Sequence, residues 1–372
     1  MTASRAVNAV SNIRVHLADE SDSVMRLVRI VLGGVFVDDE SWVSAYFAPE
    51  PGDHWSALKG IAAEFGVGER VVLTWSSHGS EEELSEACTD AQVLILRRGQ
   101  VTSSVLSACP ELRVIIQIGE GTANVDVDEA RERGIDFIAL PRPSLDRTAE
   151  HVLLLALALA HKLIMADANV HNGDLAKGQI SQPGDESYNW AGLTGLTNLF
   201  GHKLGIIGLG AVGRLVVPLA RAFGMEVTYN TRTAISKDSS FDLCHSVERE
   251  DLETLLQTSD FVSLHALNIA GAAPVMGAEE FAAMKYGSYF INTSRGRLVD
   301  EDALAEAVRF GQLAGAALDV HRVEPRPADH PLCELENVIL TPHMAGGLRS
   351  ALIQEIRELV RVLVDACELA AK

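Results

Sequence analysis

Short apolar runs of strand length alternate with helix-like segments through the first third of the chain. Strands that alternate with helices indicate βαβ units and a mostly parallel sheet. Residues 22–66 depart from this pattern, because an aromatic-rich stretch there is interrupted by prolines, and we interpret them as an inserted or extended segment. The predicted strands of this region are 13–18, 70–75, 91–96, 112–118 and 135–140.

A second alternating region begins near residue 203. Between the two regions, Pro141-Arg142-Pro143-Ser144 has the composition of a linker, and a long apolar helix is predicted from Thr148 to about Ala168. Apolar residues at helical spacing predict a final helix at about 348–371. The predicted strands of the second region are 203–208, 225–230, 261–266, 288–293, 315–320 and 337–342.

The length of the chain fits this division into two regions. Its 372 residues are about two domains' worth, at roughly 100–200 residues per domain. We predict an α/β fold with two doubly wound parallel-sheet domains, at 1–147 and 148–334. The C-terminal segment 335–372 is predicted to return to the first domain, so that domain is discontinuous in sequence.

The chain is strongly acidic, with 51 Asp and Glu against 31 Lys and Arg and a formal net charge of −20. Such a field repels phosphate backbones and anionic lipid heads, so neither nucleic acid nor a membrane surface is expected as a partner. The most apolar run, 152–160, is shorter than the roughly 20 residues of a membrane span. The N-terminal residues lack the apolar core of a signal peptide. We therefore expect a soluble protein.

Cysteine and histidine usage gives no sign of a disulfide framework or a metal site. The five cysteines are far apart and never spaced C-x-x-C, which indicates a reducing cytoplasm. No set of histidines and acids has zinc-ligand spacing, so no metal is expected. We interpret His151 and His161 as packing or capping residues of the long helix, and His330 as a structural loop residue.

A glycine-rich string follows the first strand of the second region. Gly208, Gly210 and Gly213 form the pattern G-x-G-x-x-G between an apolar strand and an amphipathic helix, which is the context of a dinucleotide-binding loop. The first glycine permits a tight turn, the second lets the backbone approach a pyrophosphate, and the third lets the helix pack on the strand. Free N–H groups at the helix N-terminus then face the phosphates. The predicted coenzyme-binding residues are Gly208, Leu209, Gly210, Ala211, Val212 and Gly213.

The next strand ends in a sequence that bears on the choice of coenzyme. A carboxylate about 20 residues after the glycine loop would bond the ribose hydroxyls and repel a 2′-phosphate. That position holds Asn230, and Arg232 follows it, a combination that accommodates a 2′-phosphate. We favour NADP over NAD; the alternative is that Asn230 bonds a ribose hydroxyl and Arg232 is a surface residue. The predicted contacts here are Asn230, Thr231, Arg232 and Thr233.

Three chemically capable residues lie just past predicted strands of the second region. They are Arg295, Glu324 and His343. Ligands of open α/β sheets bind beyond the carboxyl ends of the strands, so these positions are candidates for chemistry. With an unperturbed pKa of about 6.5, a histidine exchanges a proton near neutrality, and the arginine fork of donors suits a carboxylate.

These segments together resemble the D-isomer-specific 2-hydroxyacid dehydrogenase family, whose members include glyoxylate/hydroxypyruvate reductases and D-lactate, D-3-phosphoglycerate, formate and phosphite dehydrogenases. The matching pieces cover about residues 88–347 in the family's order. They are RVIIQIGEGTANVD, AEHVLLLALALA, LGIIGLGAVGR, INTSRGRLVDEDAL, GAALDV…EP…HPL and NVILTPH. The resemblance implies a flavodoxin-like substrate domain, a Rossmann coenzyme domain, a cleft between them that closes on substrate, and a homodimer.

The resemblance also implies an oxidoreductase that transfers a hydride between NAD(P)H and a 2-oxo acid or D-2-hydroxy acid. His343 would be the general acid/base, Glu324 would orient its imidazole and favour the charged form, and Arg295 would bind the carboxylate of a small anionic substrate. Further coenzyme contacts implied are His265, Thr293, Ser294 and Asp319. Further substrate contacts implied are Arg97, Gly119, Glu120 and Gly121.

Some residues depart from the family's pattern. Gln117 stands where many relatives carry Arg or Lys, and Glu120 places a carboxylate in the loop that would hold an anion. Ala123, Asn268 and Ile269 also differ from the usual residues. These departures concern which 2-oxo acid is bound, and the sequence leaves that open.

Two other functions stand as alternatives. One is a dehydrogenase of the same fold acting on phosphite, formate or a phosphonate analogue. A member specialised for formate pairs its histidine with Gln, so Glu324 argues against formate. The other is a dinucleotide-sensing binding protein like the family's corepressors, against which the set Arg295, Glu324 and His343 argues.

Overall fold

The chain divides into two units, one made of Met1–Ser144 with Leu348–Lys372 and the other of Leu145–Gly347. Each unit is built on one parallel β-sheet. The computed structural model describes residues 13–18, 22–48, 50–76, 80–119, 122, 124–174, 188–232, 247–266 and 273–370.

The first unit contains a five-stranded sheet. Its strands are β1 (Ile13–Leu17), β2 (Val71–Trp75), β3 (Val93–Leu96), β4 (Val114–Ile118) and β5 (Asp136–Leu140). They lie in the order β2-β1-β3-β4-β5, with every neighbouring pair parallel. This is the flavodoxin-like order, and it confirms the predicted doubly wound sheet and its five strands.

Helices cover both faces of this sheet. They are α1 (Ser23–Val31), α2 (Asp39–Phe47), α3 (His54–Phe65), α4 (Glu81–Ala87), α5 (Ser103–Ala108), α6 (Val127–Glu132) and the C-terminal α13 (Ala351–Ala370). Successive side chains of a strand point to opposite faces, so a strand buried on both sides is apolar throughout. Val93 and Ile95 of β3 join the core formed with α1, α3 and α13, while Leu94 and Leu96 join the core formed with α4, α5 and α6.

A buried ion pair joins two helices of the segment 22–66, whose described residues form α1, α2 and α3. Nη2 of Arg29 lies 2.9 and 3.0 Å from the two carboxylate oxygens of Asp39, and both side chains are fully buried. Burial would raise the pKa of Asp39, but the Phe36 N–H and the guanidinium groups of Arg26 and Arg29 hold it below its usual value. Removing Asp39 would leave the buried Arg29 guanidinium without its carboxylate, so this pair ties α1 to the start of α2.

The second unit contains a seven-stranded parallel sheet. Its strands are β6 (Lys203–Ile207), β7 (Glu226–Asn230), β8 (Glu248–Arg249), β9 (Phe261–Leu264), β10 (Ser288–Asn292), β11 (Leu313–Leu318) and β12 (Val338–Leu340). They lie in the order β12-β11-β10-β9-β6-β7-β8. This is the Rossmann order with one further strand, and the strand order reverses between β6 and β9. The six predicted strands are confirmed, and the two-residue β8 is an addition.

The helices of this unit include a break that the sequence pattern did not predict. They are α7 (Ser144–Ala160), α8 (Leu163–Asn172), α9 (Ala211–Ala222), α10 (Leu252–Thr258), α11 (Ala278–Ala283) and α12 (Glu301–Arg309). The single helix predicted from Thr148 to about Ala168 is wrong, because Lys162 has a left-handed backbone with φ 49° and separates α7 from α8. Within the described part of the chain, no single helix has the length and hydropathy of a membrane span; α7 and α8 have them only together, across a 56° bend.

The C-terminal segment leaves the second unit later than predicted. We placed its return at residue 335, but β12 pairs in parallel with β11, and the chain rejoins the first unit at Leu348. The same unit therefore holds His343 and the strands that precede Arg295 and Glu324. On the amino-terminal side, the division falls after Ser144, three residues before the predicted boundary at 147.

Candidate active site

The turn between β6 and α9 has a conformation that only glycine permits at its first position. Gly208 has φ +97°, and a Cβ added there would lie 2.6 Å from the carbonyl carbon of His265 and 2.7 Å from the amide nitrogen of Ala266. Real Cβ atoms do not approach backbone this closely, and the neighbouring chain is held by the bond from His265 N–H to Ile207 O (2.7 Å). The loop therefore packs directly on the segment that follows β9.

The other two glycines of the loop serve different purposes. A Cβ on Gly213 would lie 2.5 Å from the Gly208 carbonyl oxygen, so this glycine brings α9 against the turn. A Cβ on Gly210 would meet no described atom within 4 Å. Gly210 is the residue before α9, where helix N–H groups have no partner within the helix. The residues present thus fit a pyrophosphate held by the helix N-terminus.

The end of β7 carries amide and guanidinium groups. The Asn230 side chain donates to the Glu250 carbonyl (2.8 Å), and Nη2 of the exposed Arg249 donates to the Thr231 carbonyl (2.7 Å). Arg232 is also exposed. The Glu250 carboxylate is paired with Nζ of Lys203 at 2.7 Å. The predicted contact Thr233 lies outside the described residues.

Two predicted coenzyme contacts, His265 and Ser294, are bonded into the floor beneath the loop. His265 Nε2 lies 2.8 Å from the Ser263 hydroxyl, and burial lowers the pKa of His265 to about 4. The Ser294 hydroxyl donates to the Ala266 carbonyl (2.9 Å). The buried Thr293 hydroxyl has no hydrogen-bond partner among the described residues. This arrangement leaves one buried polar group at the carboxyl end of β10 for a ligand.

Asp319 is fully buried at the end of β11, and its carboxylate holds the segment that carries His343. Oδ1 accepts from the Thr341 hydroxyl (2.6 Å) and the Met344 N–H (2.9 Å), and Oδ2 accepts from the Ala345 N–H (2.9 Å). These bonds position the backbone on both sides of His343. The predicted contact between Asp319 and the coenzyme stays a prediction.

His151 reaches this same network, although we interpreted it only as a packing or capping residue. Its Nε2 lies 3.3 Å from the Thr341 hydroxyl and 3.6 Å from Asp319. Burial lowers the pKa of His151, while the charge of Asp319 acts in the opposite direction. No sequence pattern indicated these contacts, because 190 residues separate His151 from Thr341.

Glu324 and His343 form a hydrogen-bonded pair. His343 Nδ1 lies 2.8 Å from Oε2 of Glu324, and Oε1 accepts the backbone N–H of His321 (2.9 Å). Burial would raise the pKa of Glu324, but the bonds from His343 and His321 and their charges hold it below its usual value. His343 has a left-handed backbone, with φ 54°, and its side chain is 47% exposed. Because Nδ1 bonds the carboxylate, Nε2 is the ring nitrogen that is available to a ligand.

Arg295 lies at the end of the neighbouring strand. Its backbone carbonyl accepts from the Asn292 amide (3.1 Å), and its exposed guanidinium donates to the Ser294 carbonyl (2.6 Å). The strands β10, β11 and β12 are adjacent and parallel, so Arg295, Glu324 and His343 follow their carboxyl ends at one edge of the sheet. The arrangement combines a cation with an acid–base pair, which suits proton transfer to a bound anion.

The predicted substrate contacts of the first unit are described only in part. Both oxygens of Asp22 accept from Nη1 of Arg97, at 2.8 and 2.7 Å, so Arg97 is already paired. The Gln117 amide donates to the Arg97 carbonyl (2.9 Å). Gly119 has φ +111°, a conformation that favours glycine. Glu120, Gly121 and Ala123 lie outside the described residues, as do Asn268 and Ile269.

Metal ligation finds no support in this geometry: the described part of the chain contains no group of three or more His, Cys, Asp or Glu side chains that could hold a metal ion. The chain is an α/β protein whose second unit has a Rossmann sheet with a hydrogen-bonded Glu–His pair past its carboxyl edge. The family model for the NAD binding domain of D-isomer specific 2-hydroxyacid dehydrogenases matches residues 153–345. The chain belongs to the D-isomer specific 2-hydroxyacid dehydrogenase family.

Individual relatives agree with this assignment. The chain is 35% identical to a glyoxylate reductase of Korarchaeum cryptofilum over 270 residues, which are 72% of this chain and 77% of that protein. It is 33% identical to a D-3-phosphoglycerate dehydrogenase of Mycobacterium leprae over 77% of this chain, but spans only 51% of that longer protein. The crystal structure of the TT0316 protein from Thermus thermophilus has a TM-score of 0.54 and 29% identity, covering 96% of this chain and 97% of that one. The family places the chain among nicotinamide-dependent oxidoreductases of 2-hydroxy and 2-oxo acids.

Proposed function

We propose that the protein reduces a 2-oxo acid to a D-2-hydroxy acid, or catalyses the reverse oxidation, with His343 as the general acid/base. The observation that carries this proposal is the 2.8 Å bond between His343 Nδ1 and Glu324 Oε2, on the segments that follow two adjacent strands. A carboxylate bonded to one ring nitrogen fixes the orientation of the ring, so the other nitrogen can donate or accept a proton.

The proton and charge requirements of the reduction fit the residues at this edge. The nicotinamide coenzyme, when bound, supplies the hydride for the carbonyl carbon. His343 Nε2–H donates its proton to the carbonyl oxygen as that oxygen becomes a hydroxyl, and Glu324 stabilises the imidazolium until transfer. In the oxidation, Nε2 accepts the hydroxyl proton. Arg295 binds the substrate carboxylate through its planar fork of N–H donors.

We infer that the coenzyme is held by the loop Gly208–Gly213, with NADP preferred over NAD. The neutral Asn230 at the end of β7 supports this preference, as do the exposed guanidinium groups of Arg232 and Arg249 beside it. The Glu250 carboxylate, which could repel a 2′-phosphate, is neutralised by Lys203 at 2.7 Å. His265, Thr293, Ser294 and Asp319 are proposed as further contacts, and Arg97 and 119–121 as contacts of the substrate.

We also propose a cytoplasmic homodimer. Exposed apolar side chains on α7 and α8 support a subunit interface: Leu154, Leu163, Ile164 and Val170 are each 50–57% exposed. The mass of the purified protein in solution, measured by light scattering, tests the dimer. A monomer at micromolar concentration would remove that part of the proposal.

The reaction is tested with NADPH and NADH against a panel of 2-oxo acids that includes phosphorylated and phosphonate analogues, with phosphite and formate as alternative donors. Turnover of at least one 2-oxo acid is expected, and failure with every one would refute the proposal.

His343→Ala should reduce turnover about 100-fold or more while coenzyme binding is retained. His171→Ala is the matched control, since His171 is exposed on α8. Unchanged turnover in His343→Ala would overturn the role of His343.

A further inference from the structure

His321 occupies a junction beside the proposed acid–base pair. It follows β11, and three of its polar groups each bond a different partner. The backbone N–H donates to Glu324 Oε1 (2.9 Å), Nε2 lies 2.9 Å from the Thr341 carbonyl oxygen, and Nδ1 accepts from Nε of Arg326 (2.9 Å). One residue therefore contacts both the glutamate of the pair and the segment that carries His343.

The hydrogen-bond roles of His321 follow from its neighbours. An arginine Nε–H can only donate, so Nδ1 of His321 must accept. The ring proton then lies on Nε2 and is donated to the Thr341 carbonyl. That same carbonyl accepts the backbone N–H of His343 (3.0 Å). A single oxygen thus links the ring of His321 to the backbone of the proposed acid/base.

Arg326 is itself held from the interior. Its Nη2 lies 2.8 Å from Oε1 of Glu301, the first residue of α12, and the two side chains are 9% and 4% exposed. The same Glu301 oxygen accepts the backbone N–H of Arg322 (2.8 Å). We call Glu301, Arg326 and His321 the His321 cluster. It connects a buried carboxylate at the start of a helix to the acid–base pair.

The Arg295 segment also packs against His321. A Cβ added to Gly296 would lie 2.0 Å from the carbonyl carbon of His321, so the turn after Arg295 touches the His321 backbone directly. The segments that follow β10, β11 and β12 therefore all meet at this residue. A displacement of His321 would therefore also move Arg295, Glu324 and His343.

We propose that His321, held by Arg326 and Glu301, is a positioning residue that sets the Glu324–His343 geometry for proton transfer. The proposal rests on the proposed function of His343. His321 acts through the Thr341 carbonyl and through Glu324 rather than on the substrate. Misplacing an acid–base group by a fraction of an ångström lowers the rate of the chemical step more than it weakens ligand binding. The coenzyme loop Gly208–Gly213 makes none of these bonds.

The test compares His321→Phe with two conservative variants. Phenylalanine keeps the ring and loses both ring bonds. Glutamine places an amide N–H near the position of Nε2 and retains the bond to Thr341, and asparagine places an acceptor near Nδ1 and retains the bond from Arg326. For His321→Phe we expect kcat to fall about tenfold or more, with the KM and Kd of the coenzyme within about twofold of the original. His321→Gln should recover most of that loss, and asparagine less.

Repeating the His321→Phe substitution in a Glu324→Gln variant distinguishes a positioning role of His321 from a general contribution to stability. If His321 acts through the pair, adding His321→Phe to Glu324→Gln should lower kcat by less than it does alone. Arg326→Met should resemble His321→Phe, whereas Arg322→Met, which removes an exposed charge two residues from Glu324, should leave kcat unchanged. Circular dichroism and melting temperature identify any variant that fails to fold, and the glutamine and asparagine variants then carry the comparison.

The outcomes distinguish this inference from the proposed function. If His343→Ala abolishes turnover but folded His321→Phe retains kcat, or loses it equally in the Glu324→Gln background, the positioning role is overturned and the proposed function stands. If His343→Ala retains full turnover, the proposed function fails first. A tenfold loss of kcat that glutamine recovers and that shrinks in the Glu324→Gln background supports the positioning role.

Discussion

The glycine loop and the His343 segment lie at the same edge of one sheet but are held by opposite means. The loop depends on side chains that are absent, since a Cβ at Gly208 or Gly213 would overlap backbone. The His343 segment depends on polar side chains that are present: the Asp319 carboxylate and the ring of His321 bond the backbone between Thr341 and Ala345. A side chain added to the glycine loop should therefore disrupt its structure in a single step. Loss of one hydrogen bond from the His343 segment should weaken that segment only in part.

The largest effect is expected at Gly208. Alanine there would combine a strained φ of +97° with a 2.6 Å approach to the His265 backbone. Gly208→Ala should cost about 4 kcal/mol in the free energy of unfolding and abolish coenzyme binding. Gly210→Ala is the matched variant, because its Cβ meets no described atom. It should keep the original stability in urea titrations and weaken coenzyme binding about 100-fold, because the second glycine of this pattern is where a bound pyrophosphate would approach the backbone. Original stability in Gly208→Ala would refute the steric account.

The pH dependence of stability should separate the two regions next. Burial lowers the pKa of His265, beneath the loop, from 6.5 to about 4. The unfolded chain binds this proton more readily, so stability is full above about pH 6.5 and falls as the pH is lowered toward about 4. The loss amounts to about 3 kcal/mol, at about 1.4 kcal/mol per unit of pKa difference.

Glu324 contributes in a lower pH window. Its folded pKa is below the ordinary value of 4.5, so its contribution is present above pH 4.5 and lost as the pH falls through the folded value. Urea unfolding between pH 7 and pH 3.5 measures both windows. His265→Gln, which can still bond Ser263, should reduce the slope of the curve above about pH 4.5, and Glu324→Gln should reduce it only below that pH. The buried His16, whose pKa is also lowered to about 4, keeps part of the slope in both variants. A His265→Gln curve parallel to the original would contradict the assignment.

A smaller loss is expected from Asp319→Asn. The carboxylate accepts three hydrogen bonds, and an amide must turn its NH₂ toward at least one of those donors. The expected cost is about 2 kcal/mol of unfolding free energy, with reduced kcat because the bonded segment carries His343. Asp329→Asn, an exposed carboxylate of the same unit, is the control. Equal stabilities of the two variants would show that these bonds contribute little.

Sterically constrained features were predictable from the sequence, and long-range polar contacts were not. All eleven predicted strands form, because apolar runs bounded by turn residues report local burial. The glycine spacing indicated the coenzyme loop for the same local reason. In contrast, the left-handed Lys162 that divides α7 from α8 has no compositional signal, since nothing marks a lysine for φ 49°.

The surroundings of the pair were hidden for a similar reason. The family resemblance marked Glu324 and His343. His321 lies nearer than Glu324 to the end of β11, but only the bond between its ring and the Thr341 carbonyl, 20 residues away, shows its importance. The buried pair of Arg29 and Asp39 is a further case, because charged residues in a sequence indicate exposure more often than burial. The partner of a charged or titratable side chain can be identified only in the folded structure when the two residues are far apart in sequence.

The end of β7 offers the smallest of these effects and combines both kinds of constraint. The Gly208 N–H donates to the Asn230 carbonyl (2.8 Å), so the glycine loop fixes where the side chains of Asn230 and Arg232 begin. If NADP is preferred, Arg232 pairs with its 2′-phosphate, and Arg232→Ser should lower the ratio of kcat/KM for NADPH over NADH about tenfold. Arg309→Ser removes the same charge from α12, beyond the loop, and should leave the ratio unchanged. Because both substitutions change the net charge equally, a difference between them isolates the local contact from the long-range field of an acidic protein. A clear preference of the original protein for NADH would refute the NADP assignment and leave Asn230 as the proposed contact of the ribose hydroxyl.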